Sequence, residues 1–149
     1  MIALDTNVLV RLVTRDDETQ ARRAKAAFDK HADEDGGLFV ADIVLVELCW
    51  TLAKSYGLAR IDIARTVRAL LDNASIALES PPAVRDALER FETGSADFPD
   101  CLIVAKASGV GCSRILSFDQ RMGSLPGVEL LKRQVRAPEK SQDGKFLSR

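Results

Sequence analysis

Four acids stand where short apolar runs end or where apolar helices begin: Asp5, Glu47, Asp100 and Asp119. Asp5 closes Ile2-Ala3-Leu4, and Glu47 lies inside Ile43-Val44-Leu45-Val46-Glu47-Leu48-Cys49-Trp50. Asp100 opens Pro99-Asp100-Cys101-Leu102-Ile103-Val104-Ala105, and Asp119 follows Ile115-Leu116-Ser117-Phe118. A carboxylate beside apolar residues is costly to desolvate unless something pairs with it. Cations are scarce in the immediate sequence neighbourhood of these acids, so the expected partner is a divalent metal. Oxygen ligation without His or Cys suits Mg²⁺ or Mn²⁺ and not zinc. Such an ion serves phosphate-ester chemistry by generating hydroxide and neutralising charge on the phosphate.

The elements that must position these acids can be read from periodicity and punctuation. Residues 2–4 form a short buried strand, and Asn7 can cap a helix reaching about Thr14. Asp16 or Asp17 caps a second, strongly charged helix to about His31. Gly36-Gly37 breaks the chain before the strand Leu38-Phe39-Val40, and Asp42 is a candidate cap for a helix ending near Gly57. Ile61, Ala64, Val67, Leu70 and Leu71 recur at helical spacing, which predicts a helix over 60–73, with a strand at 76–78 after it. Ser80-Pro81-Pro82 marks another helix start, and Gly94 its stop after Phe91. A helix over 99–108 ends at Gly109, a strand over 114–118 leads into a turn at 119–123, and Val128–Leu131 adds a last edge strand. Strands alternating with helices imply an α/β sandwich around a mostly parallel sheet. In such sheets ligands bind beyond the carboxyl ends of the strands, where Asp5 and Asp119 fall. Asp100, in a first helical turn, is favoured there by the macrodipole.

The chain has 149 residues, 46% of them apolar, which is one domain's worth with enough apolar side chains for a core. The reading is a single domain over 1–135 and a polar, mobile tail over 136–149. Net charge is −1, so the whole molecule has no bulk footprint for polyanions. The charge is uneven: Lys132 to Arg149 carries six cations against two acids, a net +4, leaving −5 on the rest. Three cysteines in no metal-type spacing argue against a disulfide framework. No basic leader and no membrane-length apolar run is present, so a cytoplasmic location is expected.

Together these segments resemble PIN-domain ribonucleases, most closely the VapC-type toxins of bacterial toxin–antitoxin pairs. The resemblance rests on Leu4-Asp5-Thr6-Asn7-Val8-Leu9, Val46-Glu47, Ala96-Asp97-Phe98-Pro99-Asp100-Cys101-Leu102-Ile103 and Leu116-Ser117-Phe118-Asp119, and spans roughly residues 1–131. It implies an α/β/α sandwich, Mg²⁺- or Mn²⁺-dependent endoribonuclease activity, a homodimer or toxin–antitoxin hetero-oligomer, and inhibition by a small cognate antitoxin. Position by position, Asp5, Glu47 and Asp100 match the metal-binding acids and Asp119 the more variable fourth. Thr6 and Asn7 match the polar pair supporting the first acid, and Ser117 a commonly hydroxylated position before the fourth. Asp97 is read as a helix cap ahead of a group supporting the site.

Each of these residues has a plainer reading. Asp5 could cap its helix, Glu47 could be a solvated helix residue, Asp100 a first-turn dipole residue and Asp119 a turn residue. His31 reads as a surface residue, Trp50 and Phe39 as core, and Arg22-Arg23 and Arg11/Arg15 as solvated faces. Two other classes gather acids or share the scaffold. A phosphoacceptor signalling domain needs an acid pair after the first strand and a lysine after a late one, whereas here stand Asp5-Thr6-Asn7 and Ser117-Phe118-Asp119. A catalytically silent RNA- or antitoxin-binding scaffold is opposed only by the completeness of the acid set.

Overall fold

Short apolar runs punctuated by glycine and acid build strands of two or three residues, the first three each followed by an α-helix. The computed structural model describes residues 1–132, so the expected tail over 136–149 lies outside them. The order is β1 (Ile2–Ala3), α1 (Thr6–Thr14), α2 (Glu18–His31), β2 (Leu38–Val40), α3 (Asp42–Lys54), α4 (Arg60–Asp72), β3 (Ile76–Leu78), α5 (Pro81–Thr93), α6 (Phe98–Gly109), β4 (Ile115–Ser117), a 3₁₀ turn (Gln120–Ser124) and β5 (Val128–Leu130). β2 is the centre of a parallel three-stranded sheet, pairing Ile2 with Leu38 on one side and Leu38 with Ile76 on the other. β4 and β5 pair in parallel as a second, two-stranded piece. The architecture is the expected α/β/α fold, and every pairing among the described residues is parallel.

Parallel neighbours demand crossover helices, and their apolar faces make the core. α3 buries Leu45, Leu48, Cys49 and Leu52; α5 buries Val84, Ala87, Leu88 and Phe91; α6 buries Phe98, Cys101, Leu102, Val104 and Ala105. Phe91 and Phe98 meet edge to face at 6.0 Å, joining the end of α5 to the start of α6. The approach of β2 to β3 requires Gly37: its φ is +62°, and a Cβ there would collide with the Ser75 carbonyl oxygen. That same carbonyl accepts from the Leu38 N–H at 2.8 Å.

Several local expectations are corrected. Asp5, not Asn7, occupies the cap position of α1, its carboxylate accepting from the Thr6 N–H at 2.8 Å. Asp17 is the cap of α2, accepting from the Gln20 N–H at 2.9 Å. Asp42 is the first residue of α3, not its cap, and its Oδ2 accepts from the Ser80 hydroxyl at 2.8 Å and from Lys106. Burial pushes that carboxyl up, but the bonds from Lys106, Glu79 and Ser80 bring it below its ordinary value. Ser80 does hold the cap position of α5, without capping through its side chain.

The buried face of α4 is Ile63, Ala64, Val67 and Leu70; Ile61 is exposed. Trp50 is 58% exposed, not core, and Phe39 is half-buried. Arg11 is not a solvated-face residue: it bonds Asp16, Gln20 and Tyr56 and so ties α1 to the start of α2 and to the turn that follows α3.

Candidate active site

β1 ends at Ala3, Leu4 is buried, and the chain turns outward at Asp5 into α1. Thr6 is therefore the first residue of α1, and its hydroxyl donates to Glu47 Oε2 on α3 at 2.7 Å. This bond ties the strand-end acid to the mid-chain acid, so Asp5 and Glu47 are joined through one threonine. Glu47 is exposed, although its sequence neighbours are apolar. Its exposed face on α3 continues through Trp50, and Ile43 lies one turn before it, 68% exposed. Asn7 is exposed beside the pair.

The second half of the site is built by the start of α6 and the end of β4. Asp97 stands in the cap position of α6 with extended backbone, yet its side chain makes no capping bond. The cap reading for Asp97 therefore fails as a hydrogen bond. Asp100 follows in the first turn, half-buried. Its carboxyl is raised above the ordinary aspartate value, first by burial, then by the charges of Asp119 and Asp97, with Arg121 partly offsetting them. Asp119 does serve as a turn residue, accepting from the Arg121 N–H at 2.9 Å. The Ser117 hydroxyl in turn accepts from the Asp119 N–H at 3.0 Å, fixing the backbone that carries the acid. Asp97, Asp100 and Asp119 thus share one electrostatic neighbourhood.

α3 packs against both α1 and α6, so the helix bearing Glu47 lies between the two halves. A cleft of about 90 Å³ joins Trp50 and Lys54 of α3 to Asp97, Phe98 and Pro99. Among the described residues, Asp5, Glu47 and Asp100 have no ion-pair partner. Nor do any three acids, among those residues, sit gathered as a ready metal cluster. Like charges without a cation repel, which favours a spread arrangement. The donor chemistry of Asp5, Glu47 and Asp100 fits a hard divalent cation: oxygen only, without ion-pair partners, and including a carboxyl that burial and its neighbours' charge hold against ionisation.

Two residues around the candidate acids were not legible in the sequence. Arg60, the first residue of α4, lays its guanidinium 4.0 Å over the Phe91 ring. It donates to the carbonyls of Phe91 (2.8 Å), Ala96 (2.9 Å), Gly94 (3.2 Å) and Ser95 (3.3 Å). It therefore holds the loop that presents Asp97 and Asp100. Nothing marks it in sequence, because its partners are backbone atoms more than thirty residues away. Arg121 is the second; its only sequence signal is adjacency to the fourth acid.

The remaining chemical groups are accounted for elsewhere. His31 contacts Glu34 at 2.6 Å and is half-buried. Cys49 and Cys101 are buried, and burial pushes the Cys101 thiol up to about 11, so both behave as inert core residues. No described helix is long and apolar enough to cross a membrane. Residues 2–128 match the family model described as PIN domain. Among curated proteins, a VapC ribonuclease of Aquifex aeolicus (strain VF5) is 29% identical over 125 residues, 84% of this chain and 92% of that protein. No solved structure gives a significant match.

Proposed function

This chain belongs to the PIN-domain family, and from that premise we propose that it is a Mg²⁺- or Mn²⁺-dependent endoribonuclease, the toxin of a toxin–antitoxin pair. The observation that carries the reading is the Thr6–Glu47 bond, which sets two cation-free acids together at the carboxyl end of β1. The similarity to a VapC ribonuclease supports the choice of substrate and role. Asp5, Glu47 and Asp100 would hold the ion, with Asp119 binding it directly or through water. When bound, the ion supplies a hydroxide at neutral pH and neutralises charge on the phosphate.

The chain's own residues do the positioning. Thr6 fixes the rotamer of Glu47 by donating to one oxygen and leaving the other for a ligand. Ser117 holds the backbone of Asp119, whose Oδ1 accepts from the Arg121 N–H, leaving Oδ2 without a bond in the turn. No Ser-His or Cys-His pair stands near the acids, with His31 engaged by Glu34, so no covalent enzyme intermediate is expected. Cleavage is hydrolysis by an attacking water. The purified chain, freed of any antitoxin, should cut structured RNA only with Mg²⁺ or Mn²⁺ present, and Asp5→Asn should not cut. Robust cleavage in excess chelator would overturn the metal reading. RNA binding without cleavage at any metal concentration would leave a silent scaffold instead.

A further inference from the structure

Of the candidate acids, only Asp97 and Asp119 have an ion-pair partner among the described residues, and both share the same one. Arg121 Nη1 lies 3.8 Å from Asp97 Oδ2, and its Nε lies 3.8 Å from Asp119 Oδ1. Charge-assisted hydrogen bonds from a guanidinium run at about 2.7–2.9 Å, so neither contact is one. The side chain is 64% exposed, and its guanidinium donates no hydrogen bond among the described residues. The 3₁₀ turn does not need that side chain. It is already closed by the Arg121 N–H to Asp119, the Met122 N–H to the Asp119 carbonyl and the Leu125 N–H to the Met122 carbonyl. What remains is a charged fork with its donors unspent, held beside acids by charge alone.

We propose that Arg121 serves two partners in turn: it is the resident counter-charge of Asp97 and Asp119 in the ion-free protein, and it grips an RNA phosphate once a divalent ion bound among the site acids has cancelled their field. This rests on the metal-dependent nuclease reading above. The physical argument is one of competition. A divalent ion among the acids cancels the field that draws the guanidinium in, and a cation beside another cation is repelled. Loosely tethered and mostly exposed, the side chain can swing away without losing a hydrogen bond. Its five donors then match the oxygens of a phosphate beside the acid site. One residue would thereby make ion binding weaker and substrate binding stronger. A residue that merely braced the turn would do neither.

The opposed signs supply the test. Mn²⁺ binding is measured by calorimetry on RNA-free protein for wild type, Arg121→Gln and Arg121→Lys, and RNA cleavage is then followed at saturating Mn²⁺. Arg121→Gln should bind Mn²⁺ about three- to tenfold more tightly, the scale of two exposed ion pairs lost. Its KM for RNA should rise about tenfold or more, with kcat within about threefold, as expected for a lost charged contact to phosphate. Arg121→Lys should fall between the two on both measures, because it keeps the charge without the fork. Unchanged or weakened Mn²⁺ affinity in Arg121→Gln, or an unchanged KM, would overturn the proposal while cleavage by wild type left the nuclease reading standing. Absence of Mn²⁺ binding in all three proteins would remove the nuclease reading and this inference with it.

Discussion

At the scale of the residue, Asp100 carries opposite weights for stability and for activity. Burial and the neighbouring Asp119 and Asp97 raise its carboxyl pKa in the fold. A carboxyl whose folded pKa is raised binds its proton more readily in the native state than in the unfolded one. Its penalty is therefore absent below the ordinary aspartate value, grows as pH rises through the folded pKa, and persists at neutral pH. Asp100→Asn keeps the shape and removes the charge. The metal-free variant should melt at the wild-type temperature or a few degrees higher at pH 7, and the gap should close as the pH approaches about 4. Cleavage should fall by more than about a hundredfold, since even the groups behind a metal ligand are worth about 10–100-fold. Melting scans across pH, with a cleavage assay alongside, test this. A clear loss of metal-free stability would instead mean that Asp100 serves mainly the dipole of α6.

At the scale of the element, the start of α6 is held by a residue from another helix. Arg60 gathers the carbonyls of Phe91, Gly94, Ser95 and Ala96, and stacks on Phe91, so it ties the α5–α6 loop to the start of α4. Arg60→Ala would leave those carbonyls without their donor and let Asp97 and Asp100 wander. The cost should be about 1–2 kcal/mol, or roughly 2–8 °C in melting temperature for a chain of this size. Activity should fall by more than that stability loss explains, and Arg60→Lys should not restore it, because a single ammonium cannot span the loop. Melting temperature and cleavage rate measured on both variants decide it.

Apolar runs, helical periodicity and glycine or proline punctuation marked the described helices and strands to within a few residues, although Ile2 and Ala3 of β1, expected to be buried, are exposed. The four acids were visible because each adjoins an apolar run. Caps were the weak point. Asn7 and Asp42 both look like caps, yet Asp5 takes the first position, and Asp42 accepts from Ser80 and Lys106 of distant segments. Trp50 follows the same rule: apolar neighbours suggest core, but only the packing of α3 against α1, α4 and α6 decides which face is left open. Arg60 and Arg121 act across space on partners no local pattern names.

At the scale of the whole molecule, an acid site with little cationic cover invites a cationic visitor. The chain outside Lys132–Arg149 carries a net charge of −5, and Asp5, Glu47 and Asp100 have no ion-pair partner among the described residues. A nuclease with such a site would damage its own cell unless restrained. An antitoxin segment carrying an arginine could pair with these acids through a guanidinium fork and displace the ion. The cleft that reaches Asp97 offers such a segment an apolar bed, lined by Trp50, Ala53, Leu58 and Phe91, and Ile43 of α3 and Ile61 of α4 are exposed. A second copy of the chain could use the same open faces of α3 and α4, which is where a homodimer would compete with the inhibitor. A small protein encoded beside this one should therefore co-purify with it, and the complex should cleave RNA far more slowly than the freed chain. Expression of the chain alone should arrest growth, and the Asp5→Asn variant should not. If a folded, demonstrably active wild-type chain accumulates to high level without harming its host, the toxin role falls while the nuclease chemistry survives it.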